Sequence, residues 1–298
     1  MGAIIVKGRA ARSALIQGLV AAVIFGTIPV TVKATAANPW TLALCRLVVA
    51  VAGIWFLAKH RRKIFAHSRS DLARLALLGV VSAAHWATYL YSIKLSSASV
   101  ASLALSSFGV FLTFLGAWMA RHRVGLGDFL PLALAVGGAV LVIPNPQIES
   151  RAALGFLLAV FSAFCFACLP LIHQRLSGFS GSHRIAVQYT VALLVLLPTL
   201  PAANWKLDRS DWLIVAYLGS VGTLLAHTLW AHATTTLPTL TTSLIYYLHI
   251  PIALVCCALF LGERLGPKGL VGGLLIVAAS LWGVIRQQGE RTESLPPE

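Results

Sequence analysis

Ten apolar stretches, arranged as two sets of five with a repeat offset of 141 residues, constrain this chain more than any other feature. Phe25-Gly26-Thr27-Ile28-Pro29 in the first stretch has its counterpart in Phe166-Ala167-Cys168-Leu169-Pro170 in the sixth, and Gly125 heading the fifth has Gly266 heading the tenth. What repeats is the spacing of stretches and breaks, with the prolines and glycines, rather than residue identity. A helix needs roughly 20 apolar residues to cross a bilayer. The spans run near 14–33, 40–58, 72–93, 96–119, 125–143, 152–173, 184–203, 212–232, 238–261 and 268–285. An odd number of crossings per set makes the second set enter the membrane from the opposite side. The expected fold is therefore an all-α integral membrane protein, with ten transmembrane helices as two inverted five-helix repeats. Such repeats enclose a midplane site that opens to either face, the architecture of a carrier.

The segments follow. Residues 1–12 form a cytoplasmic tail, 13–143 the first repeat, 144–151 a periplasmic linker, 152–286 the second repeat and 287–298 a second cytoplasmic tail. With 58% hydrophobic and 11% charged residues and a mean hydropathy of +0.84, the chain is no ordinary water-soluble domain. Its start, basic and then apolar up to Ala34-Thr35-Ala36-Ala37, is similar to a secretory leader. A retained helix is the expectation, because the stretch is long for a leader and has its match at span six.

The net charge of +14 points to lipid rather than nucleic acid. With the N-terminus inside, fifteen Lys and Arg fall on the inner segments and seven on the outer ones, with Arg46 within a span. That bias is the positive-inside pattern, and it predicts a bacterial inner-membrane protein with both termini in the cytoplasm. The run Lys59-His60-Arg61-Arg62-Lys63 reads as a topology determinant in contact with anionic lipid. No nucleic-acid-binding module accompanies the charge.

Cys45, Cys165, Cys168, Cys256 and Cys257 all lie in apolar spans, and no histidine or second cysteine pair gives metal-site spacing. They read as small packing residues. No metal, cofactor or disulfide framework is expected.

Every one of the nine acidic residues falls in a loop, at a span end or in a tail. Buried carboxylates are costly in a membrane and are kept for function. Their absence from the spans argues against a carboxylate-gated exporter of cationic drugs and against aspartyl proteolysis. Glu263 reads most simply as a loop residue pairing with Arg264.

The polar groups at mid-span are aromatic or imidazole. Span three carries His85, Trp86 and Tyr89, span eight His227 and Trp230, and span nine Tyr246, Tyr247 and His249. Under the repeat offset Trp86 matches His227 and Tyr89 matches Trp230. Residues 85 and 89, and residues 246 and 249, share helix faces. Such side chains also form interface belts or bond a neighbouring helix. Their convergence nonetheless predicts a site built from His85, Trp86, Tyr89, His227, Trp230, Tyr246 and His249. A lining of this kind suits an uncharged or zwitterionic, partly apolar small molecule.

Pro29 and Pro170 stand at matched positions in spans one and six, where proline removes a ladder bond and bends a helix. They are the candidate gating residues. Span four presents small residues from Ser96 to Ser107, and Pro238-Thr239-Leu240-Thr241-Thr242-Ser243 begins span nine at the equivalent place. Such faces allow close helix approach, the favoured reading, or expose hydroxyls to a cavity. Arg46 either snorkels outward or offers a positive contact to a carboxylate near the outer mouth.

Phe25 to Lys33 in span one, Arg46 in span two, Leu95 to Leu103 entering span four, and Leu261-Gly262-Glu263-Arg264-Leu265 with Gly266 and Gly272-Gly273 together resemble EamA-type members of the drug/metabolite transporter superfamily. The resemblance covers essentially the whole chain. In the first half, Ala120-Arg121-His122-Arg123-Val124 stands where the family has its glycine-glutamate-arginine motif. Within the family, His85-Trp86 with Tyr89 looks most like the YddG-type aromatic amino-acid exporters. The resemblance implies export of neutral, especially aromatic, amino acids through a central cavity, with spans five and ten peripheral.

The expected function is thus alternating-access export of a small-molecule substrate, without covalent chemistry. It runs by facilitated diffusion or by weak proton coupling through His85, His227 or His249. A sugar-phosphate or nucleotide-sugar exchanger of the same superfamily is the alternative, though it would want several cations at mid-depth. A membrane-embedded enzyme is a further alternative, for which no metal-binding or nucleophile motif is present. The sequence leaves the oligomeric state open, a monomer included.

Overall fold

The computed structural model describes residues 9–57, 68–119, 126–142, 151–176, 178–237, 242 and 245–293. The basic run at 59–63, the 120–124 segment, the linker at 144–150 and most of the 238–243 segment lie outside the described residues.

All regular structure among the described residues is helical. In chain order the helices are α1 (Arg9–Ala34), α2 (Pro39–Leu57), α3 (Arg69–Leu95), α4 (Ala98–Leu105), α5 (Phe108–Met119) and α6 (Leu126–Val142). They continue as α7 (Arg151–Arg175), α8 (Gly181–Leu196), α9 (Arg209–Tyr217), α10 (Ala226–Thr236), α11 (His249–Leu261) and α12 (Pro267–Glu293). A 3₁₀ segment, Leu197–Ala202, extends α8, and a π-helical segment, Leu218–Leu225, joins α9 to α10. Seven helical stretches among the described residues are long and apolar enough to cross a bilayer. The fifth, ninth and tenth predicted spans contain shorter apolar helices over 133–142, 245–261 and 267–279. The outward surface stays apolar, as at Phe56, Leu213, Leu259, Phe260 and Leu274, which suits lipid rather than water.

Helix ends follow local chemistry. Ser68 caps α3 and Ser97 caps α4, each accepting a backbone N–H from the first turn. Asp208 caps α9 by accepting the Asp211 N–H at 2.8 Å. That bond, with the Ser210 hydroxyl, holds the exposed Asp208 carboxyl below the usual carboxylate range. Gly262, at a φ of 67°, closes α11 and lets the Glu263 N–H return to the Cys257 carbonyl at 3.2 Å.

Two interruptions, in spans four and eight, fall where there is no proline. Helices α1 and α7 run unbroken through Pro29 and Pro170. Span four instead breaks at Ser106-Ser107, between α4 and α5, and the Tyr247 hydroxyl donates to the Ser106 carbonyl there at 3.2 Å. Span eight widens at the π-helical segment, where the Thr223 hydroxyl donates to the Leu218 carbonyl, five residues back, at 2.6 Å. Widened turns of this kind aim side chains that a regular helix would place elsewhere.

Packing is reciprocal. α1 lies against α10 and α11, while α7 lies against α3 and α4. α2 packs on α8 and on the π-helical segment, and α8 packs in turn on α3. α6 and α12 pair with each other, and α12 also leans on α5. A Cβ on Gly138 would stand 2.5 Å from the Gly272 carbonyl oxygen, and one on Gly272 2.5 Å from the Gly138 oxygen. Only glycine allows that approach. Ser102 and Ser107 donate to carbonyls of their own segment, those of Ala98 and Ala104, so these two hydroxyls are satisfied locally.

Candidate functional site

One end of the bundle is tied by polar contacts between connections remote in sequence. Lys33 Nζ donates to the carbonyls of Ile93 and Ser96, at 3.1 and 2.6 Å. Lys94 Nζ donates to the Thr35 carbonyl at 2.5 Å. Asp211 accepts from the Thr35 hydroxyl and the Ala36 N–H, at 2.7 and 2.8 Å, and the Thr41 hydroxyl donates to the Asn204 carbonyl at 2.8 Å. Glu263 corrects the expectation of a local pair with Arg264. Its carboxylate reaches α4, accepting the N–H groups of Ala98 and Ser99 and the Ser99 hydroxyl at 3.0, 2.8 and 2.7 Å. A carboxylate at a helix start meets unsatisfied donors and the positive dipole end together, a stronger partner than an exposed arginine. We call this end the latched end.

Beneath it lies a cavity lined by Phe25 and Ile28 of α1, Arg46 of α2, His85, Trp86 and Tyr89 of α3, Leu105 of α4, Phe166 of α7, His227 of α10, Tyr246, and His249 of α11. A second space shares Phe166 and His227 and continues past Pro170, His173, Gln188, Trp230 and Thr234, toward the C-terminal end of α7. The predicted residues therefore converge: six of the seven line the cavity, and Trp230 lines the space that leads from it. The sequence reading missed Phe25, Ile28, Leu105 and Phe166 as lining, and it put Arg46 near the outer mouth rather than in the cavity. Phe25 and Phe166 each lie four residues before a proline inside the helix, so the proline frees their carbonyls from helix bonding; that spacing was the available signal.

Rings from both parts of the chain touch across the cavity. Trp86 meets His227 edge-on with centroids 5.3 Å apart, and Phe25 lies 4.9 Å from His227. Tyr246 lies 5.1 Å from Phe166 and 4.9 Å from Phe108. Offset and edge-to-face ring pairs are favourable, so the lining closes on itself.

Hydrogen bonds orient the histidines. Ser162 donates its hydroxyl to the His85 carbonyl at 2.9 Å, so its oxygen accepts from His85 Nδ1 at 2.7 Å. His249 Nδ1 sits 2.5 Å from the Tyr246 carbonyl oxygen and must donate to it, because a carbonyl only accepts. In each neutral ring Nε2 is then the acceptor.

Arg46 points inward, which overturns the snorkelling alternative. The side chain is 2% exposed. Its Nε donates to the Thr223 hydroxyl oxygen at 2.7 Å, and its guanidinium lies 5.3 Å from the centre of the Trp86 ring. The Thr223 carbonyl accepts the Tyr189 hydroxyl at 3.0 Å, fixing the π-helical segment. Among the described residues the one side-chain ion pair is Arg74 with Asp71, so no carboxylate faces Arg46. No group of three or more metal-ligating side chains occurs among the described residues.

A helical bundle of this apolarity, with an aromatic cavity where the two parts of the chain meet, is a multi-pass membrane transporter. The chain belongs to the EamA-like transporter family, whose model matches residues 12–143 and 153–284. It is 27% identical to the "Probable amino-acid metabolite efflux pump" of Salmonella typhimurium, over 81% of this chain and 87% of that protein. It is likewise 27% identical to the "Probable terminal-alkyne amino-acid exporter" of Streptantibioticus cattleyicolor, over 86% of this chain and 87% of that one. The threonine/homoserine exporter RhtA of Escherichia coli is 30% identical over 55% of this chain and 56% of its own. A solved crystal structure superposes with a TM-score of 0.65 at 16% identity, covering 95% of this chain and 99% of that one, which shows the shared fold. The family and these relatives are transporters and exporters, not enzymes.

Proposed function

We propose that this protein exports neutral, especially aromatic, amino acids by alternating access through the central aromatic cavity. Ten spans form two inverted five-helix repeats, 13–143 and 152–286, joined by a periplasmic linker. Both termini lie in the bacterial cytoplasm, and the latched end faces outward. Reciprocal packing of α1 and α7 supports the repeat, and so does the matched placement of Phe25 and Phe166 in one lining. Substrate enters past Trp230 and Thr234, parts the rings, and leaves once the latch releases. Pro29 and Pro170 let α1 and α7 bend at the cavity as the two openings alternate. Flux follows the amino-acid gradient, since no carboxylate among the described residues lines the cavity to carry a proton. Strict dependence of uptake on an imposed pH gradient would overturn that uncoupled version.

The observation that carries this reading is one cavity lining that gathers aromatic and imidazole rings from α1, α3, α7, α10 and α11 with Tyr246. Rings offer large apolar contact area, and their polar tips add direction. A lone arginine is too little positive charge for the sugar-phosphate alternative.

Counterflow of labelled phenylalanine in proteoliposomes tests it. The wild type exchanges phenylalanine, and His85→Ala and Trp86→Ala each lose at least fivefold in rate. Exchange of sugar phosphates with no exchange of any neutral amino acid would reject the proposal.

A further inference from the structure

We infer that the cavity reads both ends of a zwitterion, with the Arg46 guanidinium and the Trp86 indole N–H taking the carboxylate and the His249 Nε2 taking the ammonium. The inference rests on the amino-acid reading above and deepens it.

Buried polar atoms in folded proteins almost always have partners, and each exception asks for a reason. Trp86 Nε1 and His249 Nε2 are buried atoms without a hydrogen-bond partner, on side chains each 1% exposed. Both side chains line the same cavity, and Arg46 lines it with them. Arg46 spends its Nε on Thr223, and its two terminal nitrogens bond no described residue. An arginine is charged at any working pH, and a buried charge without a counter-ion is costly. A carboxylate arriving from outside supplies the missing counter-ion and meets the guanidinium in its preferred forked geometry.

The opposite chemistry sits on α11. Because Nδ1 of His249 donates to the Tyr246 carbonyl, Nε2 of the neutral ring presents a lone pair. An ammonium is a donor with three protons and satisfies it. The Tyr246 ring, 4.2 Å from the His249 ring, adds an electron-rich face to the cation. The arrangement offers donors and positive charge from α2 and α3, and an acceptor and ring faces from α11 and its entry. Only a molecule carrying both groups satisfies both sets; the substrate side chain is left to the Phe25 and Phe166 rings.

Purified protein and three probes of one ring type test this: phenylalanine, phenethylamine, which lacks the carboxylate, and 3-phenylpropanoate, which lacks the ammonium. Binding is read by calorimetry and by thermal shift. In the wild type each truncated probe binds at least tenfold more weakly than phenylalanine. In Arg46→Gln phenylalanine falls to the level of phenethylamine, and in His249→Phe to the level of 3-phenylpropanoate. The wild-type arm needs no variant to fold, so equal affinity for all three probes overturns the inference by itself. If the wild type binds amino acids but Arg46→Gln, with wild-type melting, keeps its preference for the carboxylate, the anchor is rejected and the amino-acid reading stands. If the wild type binds no amino acid, that reading and this inference fall together.

Discussion

Arg46 and Thr223, 177 residues apart, meet through a 2.7 Å hydrogen bond at the edge of the cavity, and that bond has a neutral counterpart. Gln188 Nε2 donates to the Ser82 hydroxyl oxygen at 2.7 Å. Ser82 is the residue that matches Thr223 under the 141-residue offset, and Gln188 stands one position beyond the match of Arg46. Each hydroxyl is tied in turn to its own helix, Ser82 to Leu78 and Thr223 to Leu218. The same clamp therefore occurs twice, charged in one half and uncharged in the other.

Thr223→Val removes the acceptor that aims the Arg46 guanidinium while keeping the side-chain volume. Loss of one charge-assisted hydrogen bond is worth about 1.5–3 kcal/mol when nothing replaces it. Phenylalanine affinity falls at least about tenfold, and Thr223→Ser restores it. Calorimetry on the three proteins checks this, and unchanged affinity in Thr223→Val would show that the clamp does not position Arg46.

The latch predicts a change in accessibility rather than in affinity. Glu263→Gln and Asp211→Asn weaken contacts that join α11 to α4 and α9 to the α1–α2 connection. In a background without the native cysteines, a cysteine at position 28 reacts at least threefold faster with a membrane-impermeant thiol reagent added outside. Equal labelling rates in the latch variants and their parent would separate these contacts from opening.

The glycine crossing of α6 and α12 is a matter of stability. Gly272→Leu forces a side chain against the Gly138 carbonyl oxygen, 2.5 Å from its Cβ. Overpacking of this order costs about 1–3 kcal/mol. Thermal melting in detergent shifts down by several degrees, whereas transport per folded molecule changes less than twofold, because neither helix lines the cavity.

The two prolines give a paired test. Pro29→Ala and Pro170→Ala restore a hydrogen bond to the Phe25 and Phe166 carbonyls and stiffen α1 and α7. Each variant melts at or above the wild-type temperature and transports at least threefold more slowly. Unaltered transport in both would remove these residues from gating.

Much of the cavity was legible because rings are conspicuous in an apolar chain. His85, Trp86, Tyr89, His227, Tyr246 and His249 stood out at mid-span, and helical spacing placed 85 with 89 and 246 with 249 on common faces. Phe25, Phe166 and Leu105 were not legible in the same way, since a phenylalanine that lines a cavity and one that faces lipid look alike in sequence. Phe56, 85% exposed, and Phe166, 3% exposed, differ only in what lies beside them.

The chain's apolarity, the spacing of its spans, its basic asymmetry and its proline positions together determined a multi-pass helical membrane protein, because each follows from the cost of placing charge and unpaired backbone in lipid. The tertiary structure alone decided where Arg46 points and where Glu263 reaches. Arg46 is the one charged residue of α2, so no charged neighbour on its own helix fixes its direction; the Thr223 hydroxyl, held by a π-helical turn far along the chain, does. Glu263 is drawn past its neighbour Arg264 by the free N–H groups at the start of α4, a partner that exists only once the helices are packed.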